Sequence, residues 1–175
     1  AVAAVVGRAE IMEGCERSRP GKMRVHFEGG TFSAHEESMR AGLAMLEYLS
    51  QNEDNLFPYI GNLAENLRKG IEKVFQAEGL ETVCTGYPEG PVQHSSFFMV
   101  NFPKKKLSYR SPEDVWNPDR SEVFLREEAL KLALLLNGVH VVHGGGCLSA
   151  AHTPEDVAKT IQAYAEAARI FKKYL

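Results

Sequence analysis

The sequence is poor in cysteine, with three among 175 residues, and it holds a single tryptophan. Cys15, Cys84 and Cys147 lie far apart, are odd in number and form no Cys-x-x-Cys pair. That pattern offers neither a disulfide framework nor a zinc knuckle, and it fits a reducing, cytoplasmic setting. No apolar run is long enough to span a bilayer. The opening Ala-Val-Ala-Ala-Val-Val has no basic start and is too short for a signal-peptide core. An excess of positive charge is also lacking. A net charge of -3 leaves no basic excess to hold nucleic acid or an anionic membrane. The one basic run, Lys104-Lys105-Lys106, follows Pro103 and reads as a solvated turn.

What remains is the composition of an ordinary globular protein, 44% hydrophobic and 25% charged. Ala1–Val6 reads as a strand buried on both faces. No partner strand lies nearby in sequence, so the N-terminus is expected to be a cut through a larger domain. A helix is expected from Ser38, interrupted by Asn52-Glu53-Asp54-Asn55. A second is expected over Leu56–Glu78, where Leu56, Ile60, Leu63, Leu67, Ile71, Val74 and Phe75 form one apolar stripe and Gly79 ends it. Short strands follow at Glu81–Tyr87 and Val92–Phe102, then a polar loop over Pro103–Asp119. Arg120–Gly138 reads as a helix, Val139–His143 as a strand, the three glycines as a hairpin turn, and Cys147–His152 as another strand. Thr153, Pro154, Glu155 and Asp156 announce a final helix, with Val157, Ile161, Tyr164, Ala168 and Phe171 on its buried face. From residue 80 this order describes an α+β domain, helices covering one face of a mainly antiparallel sheet.

Candidate chemistry is sparse. His140 and His143, three apart on an expected strand, point to opposite faces and offer no shared metal site. Cys147 lacks an activating base beyond His143 and His152 and is expected to be a buried thiol. The segment Glu28-Gly29-Gly30-Thr31-Phe32-Ser33-Ala34-His35 is richer. Its glycines permit close backbone approach, Thr31 brings a hydroxyl and an amide, and a helix starts just beyond. Those parts suit either an anion site at a helix N-terminus or a capped turn with Ser33 or Ser38 as the cap.

Three segments, in order, resemble one family. Ala1–Glu13 is similar to the strand and turn after the cofactor-carrying lysine of the class III aminotransferases, the fold-type I pyridoxal-phosphate enzymes. Gly29–Leu49 resembles their Gly-Thr-Phe segment and following helix. Asn137–Ile161 resembles their C-terminal strand-turn-strand and last helix, most closely in the glutamate-1-semialdehyde aminomutase-like branch. The resemblance implies the end of a cofactor-binding large domain at 1–37, a helical connector at 38–79 and a small C-terminal domain at 80–175. It implies pyridoxal 5′-phosphate as cofactor, a small amino or oxo substrate and a homodimer. It places Gly30 and Thr31 against the phosphate of the neighbouring subunit's cofactor.

No lysine here matches the family's cofactor-carrying lysine, so the chain alone is expected to be inactive and assigns no catalytic residue. The aminomutases proper carry a glutamate in a Glu-Ala-Gly segment ahead of Ser-x-Ala-His. Here that region is His143-Gly-Gly-Gly-Cys-Leu-Ser-Ala-Ala-His152, shorter and without an acid. The family's Asn-Pro after Thr-Phe is replaced by His35-Glu36. Both departures favour a relative of unassigned amino donor. A fragment of a true aminomutase and a non-catalytic dimerisation module are the alternatives.

Overall fold

A computed structural model describes residues 2–16, 30–86, 94–105 and 109–174. The chain divides into two compact units, Ala1–Glu53 and Asp54–Leu175.

In the first unit a short helix α1 (Ala9–Met12) runs into a single 3-10 turn at Glu13–Cys15. Among the described residues the expected N-terminal strand does not form: residues 2–8 carry no regular secondary structure, with Val5 69% and Val6 86% exposed. A strand needs a neighbour to satisfy its backbone groups, and no described residue pairs with this one. Val2 nevertheless lies against Gly42, where an added Cβ would come 3.1 Å from its Cγ2.

Helix α2 (Glu36–Ala77) starts in this unit and continues through the second. The break expected at Asn52–Asn55 does not occur. These residues turn polar groups to solvent, which a helix tolerates, and the Asn52 amide donates back to the Tyr48 carbonyl at 2.7 Å. Even Pro58 lies inside the helix.

In the second unit the apolar stripe of α2 behaves as its spacing requires. Leu63, Leu67, Ile71 and Phe75 are buried, and Leu56, Ile60 and Val74 are half-buried. They face a three-stranded antiparallel sheet of β1 (Val83–Thr85), β2 (Phe97–Asn101) and β3 (Gly145–Cys147), in that spatial order. Val83 pairs with Asn101, and Phe97 with Cys147. Helix α3 (Pro112–Trp116) occupies part of the expected loop. A π-helical stretch at Leu125–Leu130 leads into α4 (Lys131–Leu136), and α5 (Pro154–Tyr174) closes the chain. Thr153 caps α5 as expected, its Oγ1 accepting from the Asp156 amide at 3.2 Å while Asp156 accepts from the Thr153 amide at 2.9 Å.

The last sheet element differs from expectation. Val139–Val141 forms no strand, and the strand comprises Gly145, Gly146 and Cys147. Val142 and Gly145 exchange backbone hydrogen bonds of 2.9 and 3.0 Å, closing a two-residue hairpin over His143 and Gly144. Both central residues have positive φ, 53° and 69°, the type I′ geometry that suits the twist of paired strands. Gly145 must be glycine for a separate reason: an added Cβ would sit 2.0 Å from the Phe98 carbonyl oxygen. Cys147 is exposed, not buried. It faces Phe97, itself 68% exposed, on the sheet face turned away from the core.

The centre of the core is aromatic. Phe75 meets Phe102 and Tyr164 edge-on at 5.2 and 6.3 Å and packs at a tilt against Phe171 at 6.2 Å. Buried Arg68 adds a polar tie, donating to the Ser95 and Phe97 carbonyls at 3.2 and 3.0 Å. Glu72 accepts the Cys84 amide at 2.7 Å, so one helix face is tied to both β1 and the start of β2. Replacing Phe75 by alanine should cost about 3–5 kcal/mol. Urea unfolding measures it, and a loss under about 1 kcal/mol would contradict this account of the core.

Candidate functional site

The Gly30–Thr31 turn sits directly ahead of α2. The Ser33 amide donates to the Gly30 carbonyl at 2.9 Å, and His35 to the Phe32 carbonyl at 3.2 Å. Ala34 takes a left-handed conformation, φ 56°, and Glu36 begins the helix. This turn leaves Gly30 and Thr31 exposed. A Cβ added at Gly30 would meet nothing within 4 Å, so the described residues do not themselves require a glycine there. Its openness leaves room for something to approach the backbone from outside. Among the described residues, no hydrogen bond engages the Thr31 hydroxyl.

These parts fit a phosphate as neutral hydrogen-bond donors. They do not supply its counter-charge. Glu36 and Glu37 occupy the first turn of α2, and Arg40 is paired with Glu36 at 2.7 Å. His35 bridges Ser38 and Glu37 at 3.2 and 3.0 Å. An anion held here must therefore find its cation on another element. Neither Ser33 nor Ser38 donates or accepts a cap bond to the helix amides among the described residues, which leaves the capped-turn reading without its bond.

A second polar cluster was not legible in the sequence. Arg126, on the π-helical stretch, is 1% exposed. Its Nη1 donates to Asn101 Oδ1 at 2.7 Å and to the Val115 carbonyl at 3.1 Å, and its Nε to Glu127 Oε1 at 2.7 Å. The guanidinium lies 4.5 Å from the centroid of the Trp116 ring. Glu127 Oε2 in turn meets His143 Nδ1 at 2.9 Å, and the His143 ring stands edge-on to Trp116 at 5.2 Å. Gly144 allows this approach, because a Cβ there would fall 2.4 Å from Arg126 Cγ. The sequence signal was the pair of adjacent opposite charges, Arg126-Glu127, inside an apolar helix. A spacing of four from buried Leu130 and eight from buried Leu134 puts Arg126 on the inward face of the helix.

Beside Trp116 lies a shallow cavity of about 340 Å³ lined by Thr85, Met99, Tyr109, Arg110, Ser111 and Val115. Ser111 and Asp114 form a reciprocal cap that fixes its rim. Hydrogen bonds led by the Arg110 amide hold the Asp114 carboxyl below the usual aspartate range. His140 is exposed and joins neither cluster, and among the described residues no group of three metal-ligating side chains converges.

Burial pushes the Glu127 carboxyl up, but hydrogen bonds from His143 and Arg126 outweigh it and hold the group below the ordinary value of 4.5. A carboxylate lowered on folding adds its full stability above the unfolded value and loses it as pH falls through the folded one. The stability gap between the parent chain and Glu127→Gln should therefore narrow as pH drops below 4.5. Denaturant unfolding across that range measures it, and a constant gap would refute the assignment.

No family model matches the chain. Curated relatives do. A glutamate-1-semialdehyde 2,1-aminomutase of Pyrobaculum islandicum is 31% identical over 170 residues, covering 92% of this chain and 34% of the relative. One of Thermus thermophilus is 31% identical over 176 residues, covering 94% and 35%. An omega-transaminase from Sphaerobacter thermophilus superposes with a TM-score of 0.67 at 26% identity, over 93% of this chain and 34% of that one. The chain thus spans about a third of the length of the relatives it matches.

Proposed function

We propose that this chain, which belongs to the class III pyridoxal-phosphate aminotransferases in their glutamate-1-semialdehyde aminomutase-like branch, serves as the C-terminal part of an enzyme that moves an amino group between amino and oxo substrates. The observation that carries the reading is the Gly30–Thr31 turn, an exposed hydroxyl beside an open glycine within the segment that resembles the family's Gly-Thr-Phe motif. Pyridoxal 5′-phosphate, when bound, supplies the electron sink for the amino-group chemistry. In a homodimer, Thr31 would donate its hydroxyl to the phosphate of the neighbouring subunit's cofactor, with Gly30 letting the backbone approach. The acidic first turn of α2 supplies no counter-charge, so the cofactor's own pocket would have to bring the cation. Residues 1–37 would belong to the large domain, 38–79 to the connector and 80–175 to the small domain, in a cytoplasmic enzyme.

Relatives named as aminomutases favour a second reading, in which the whole enzyme acts on glutamate semialdehyde. Turnover of that compound by the holoenzyme, without any other amino donor, would support it. Two measurements test the main reading. Borohydride reduction of this chain with pyridoxal phosphate should label no single lysine, and stoichiometric labelling at one site would contradict it. In the holoenzyme, Thr31→Ala should weaken pyridoxal-phosphate binding about tenfold, the value of a hydrogen bond to a charged group. Unchanged affinity by fluorescence titration would remove Thr31 from the phosphate site.

A further inference from the structure

The His143 imidazole is exposed, yet everything behind it is fixed. It occupies the first central position of a type I′ turn at φ 53°, where asparagine, aspartate or glycine is the usual tenant. A histidine held there is under local backbone strain, a feature that gathers at functional positions. Its Nδ1 is held by Glu127, which is 15% exposed, and Glu127 is held by Arg126, which is 1% exposed. Arg126 is anchored to fully buried Asn101 and to the Val115 carbonyl. A buried ionic network of this kind contributes little net stability compared with apolar packing. Its effect is orientation: with Nδ1 donating to Glu127, the atom presented outward is Nε2.

We propose that His143 Nε2 is a recognition group for a carboxylate, that of the small amino or oxo acid on which the enzyme acts, with Glu127 as its positioning residue. The substrate class rests on the function proposed above; the site itself rests on the geometry. Nδ1–H is given to Glu127, so Nε2 donates outward only from the doubly protonated imidazolium; with Arg126 and Glu127 cancelling in charge, that form leaves the cluster at net +1. An approaching carboxylate would accept from Nε2–H while Trp116, 43% exposed and in edge contact with the imidazole, offers apolar surface to the rest of the molecule.

Ring ¹H–¹⁵N spectra of the chain, titrated with acetate and glutarate, test this. The His143 ring nitrogens and the Trp116 indole N–H should shift together and saturate, whereas methylammonium chloride at equal ionic strength should leave them in place. Glu127→Gln should weaken the response about fivefold or more, the loss expected for one orienting hydrogen bond. His143→Gln, at an exposed turn, should fold normally and abolish the Trp116 response. It carries the test if Glu127→Gln fails to fold. Shifts that never saturate, or a Trp116 response that survives His143→Gln, would overturn the proposal. Phosphate binding through Thr31 is read separately in the holoenzyme, so failure at His143 leaves the family function standing, and failure at Thr31 leaves the carboxylate site standing.

Discussion

The guanidinium of Arg126, one of two buried in the second unit, ties its elements together. Arg126 joins β2 through Asn101, α3 through the Val115 carbonyl and the Trp116 ring, and the hairpin through Glu127 and His143. An unpaired charge at that depth would be strongly disfavoured. The polar side chain of buried Asn101 and the missing side chain at Gly144 accommodate it, while its Nη2 has no hydrogen-bond partner among the described residues. The apolar core beside it is ordinary by comparison, an aromatic cluster about Phe75 packed between α2, α5 and the sheet.

The two candidate sites differ in kind. The Gly30–Thr31 turn is made of backbone and a neutral hydroxyl, open to solvent and backed by acidic residues. It suits a contributor to someone else's anion site more than a complete site of its own. The His143 cluster runs without a break from its buried anchor to its exposed tip. The first has the family resemblance behind it, and the second has geometry. Relatives three times as long as this chain supply the frame in which both would act.

How much of this was legible in the sequence depends on which force decides each element. The stripe from Leu63 to Phe75 and the Thr153–Asp156 start signal were legible because burial and capping are local in sequence. The continuity of α2 through Asn52–Asn55 was not, because weak local preferences there yield to a helix propagating from both sides. The hairpin was read in the right place but centred on the wrong residues. His143 and Gly144, not the three glycines, form its loop, and Gly145 serves close strand approach instead. Cys147 was misplaced because its face depends on the register with Phe97, a non-local pairing. The Arg126 network was hidden for the same reason: Asn101, Val115, Glu127 and His143 are brought together only by tertiary contact.

The most direct test of the central claim is urea unfolding of Arg126→Ala, followed by the emission of Trp116, the only tryptophan in the chain. Removing one partner of a buried ionic network should cost about 3–5 kcal/mol. It should also shift the native-state emission, because the guanidinium no longer covers the indole ring. A variant within about 0.5 kcal/mol of the parent, with emission unchanged, would show that the unit does not depend on Arg126.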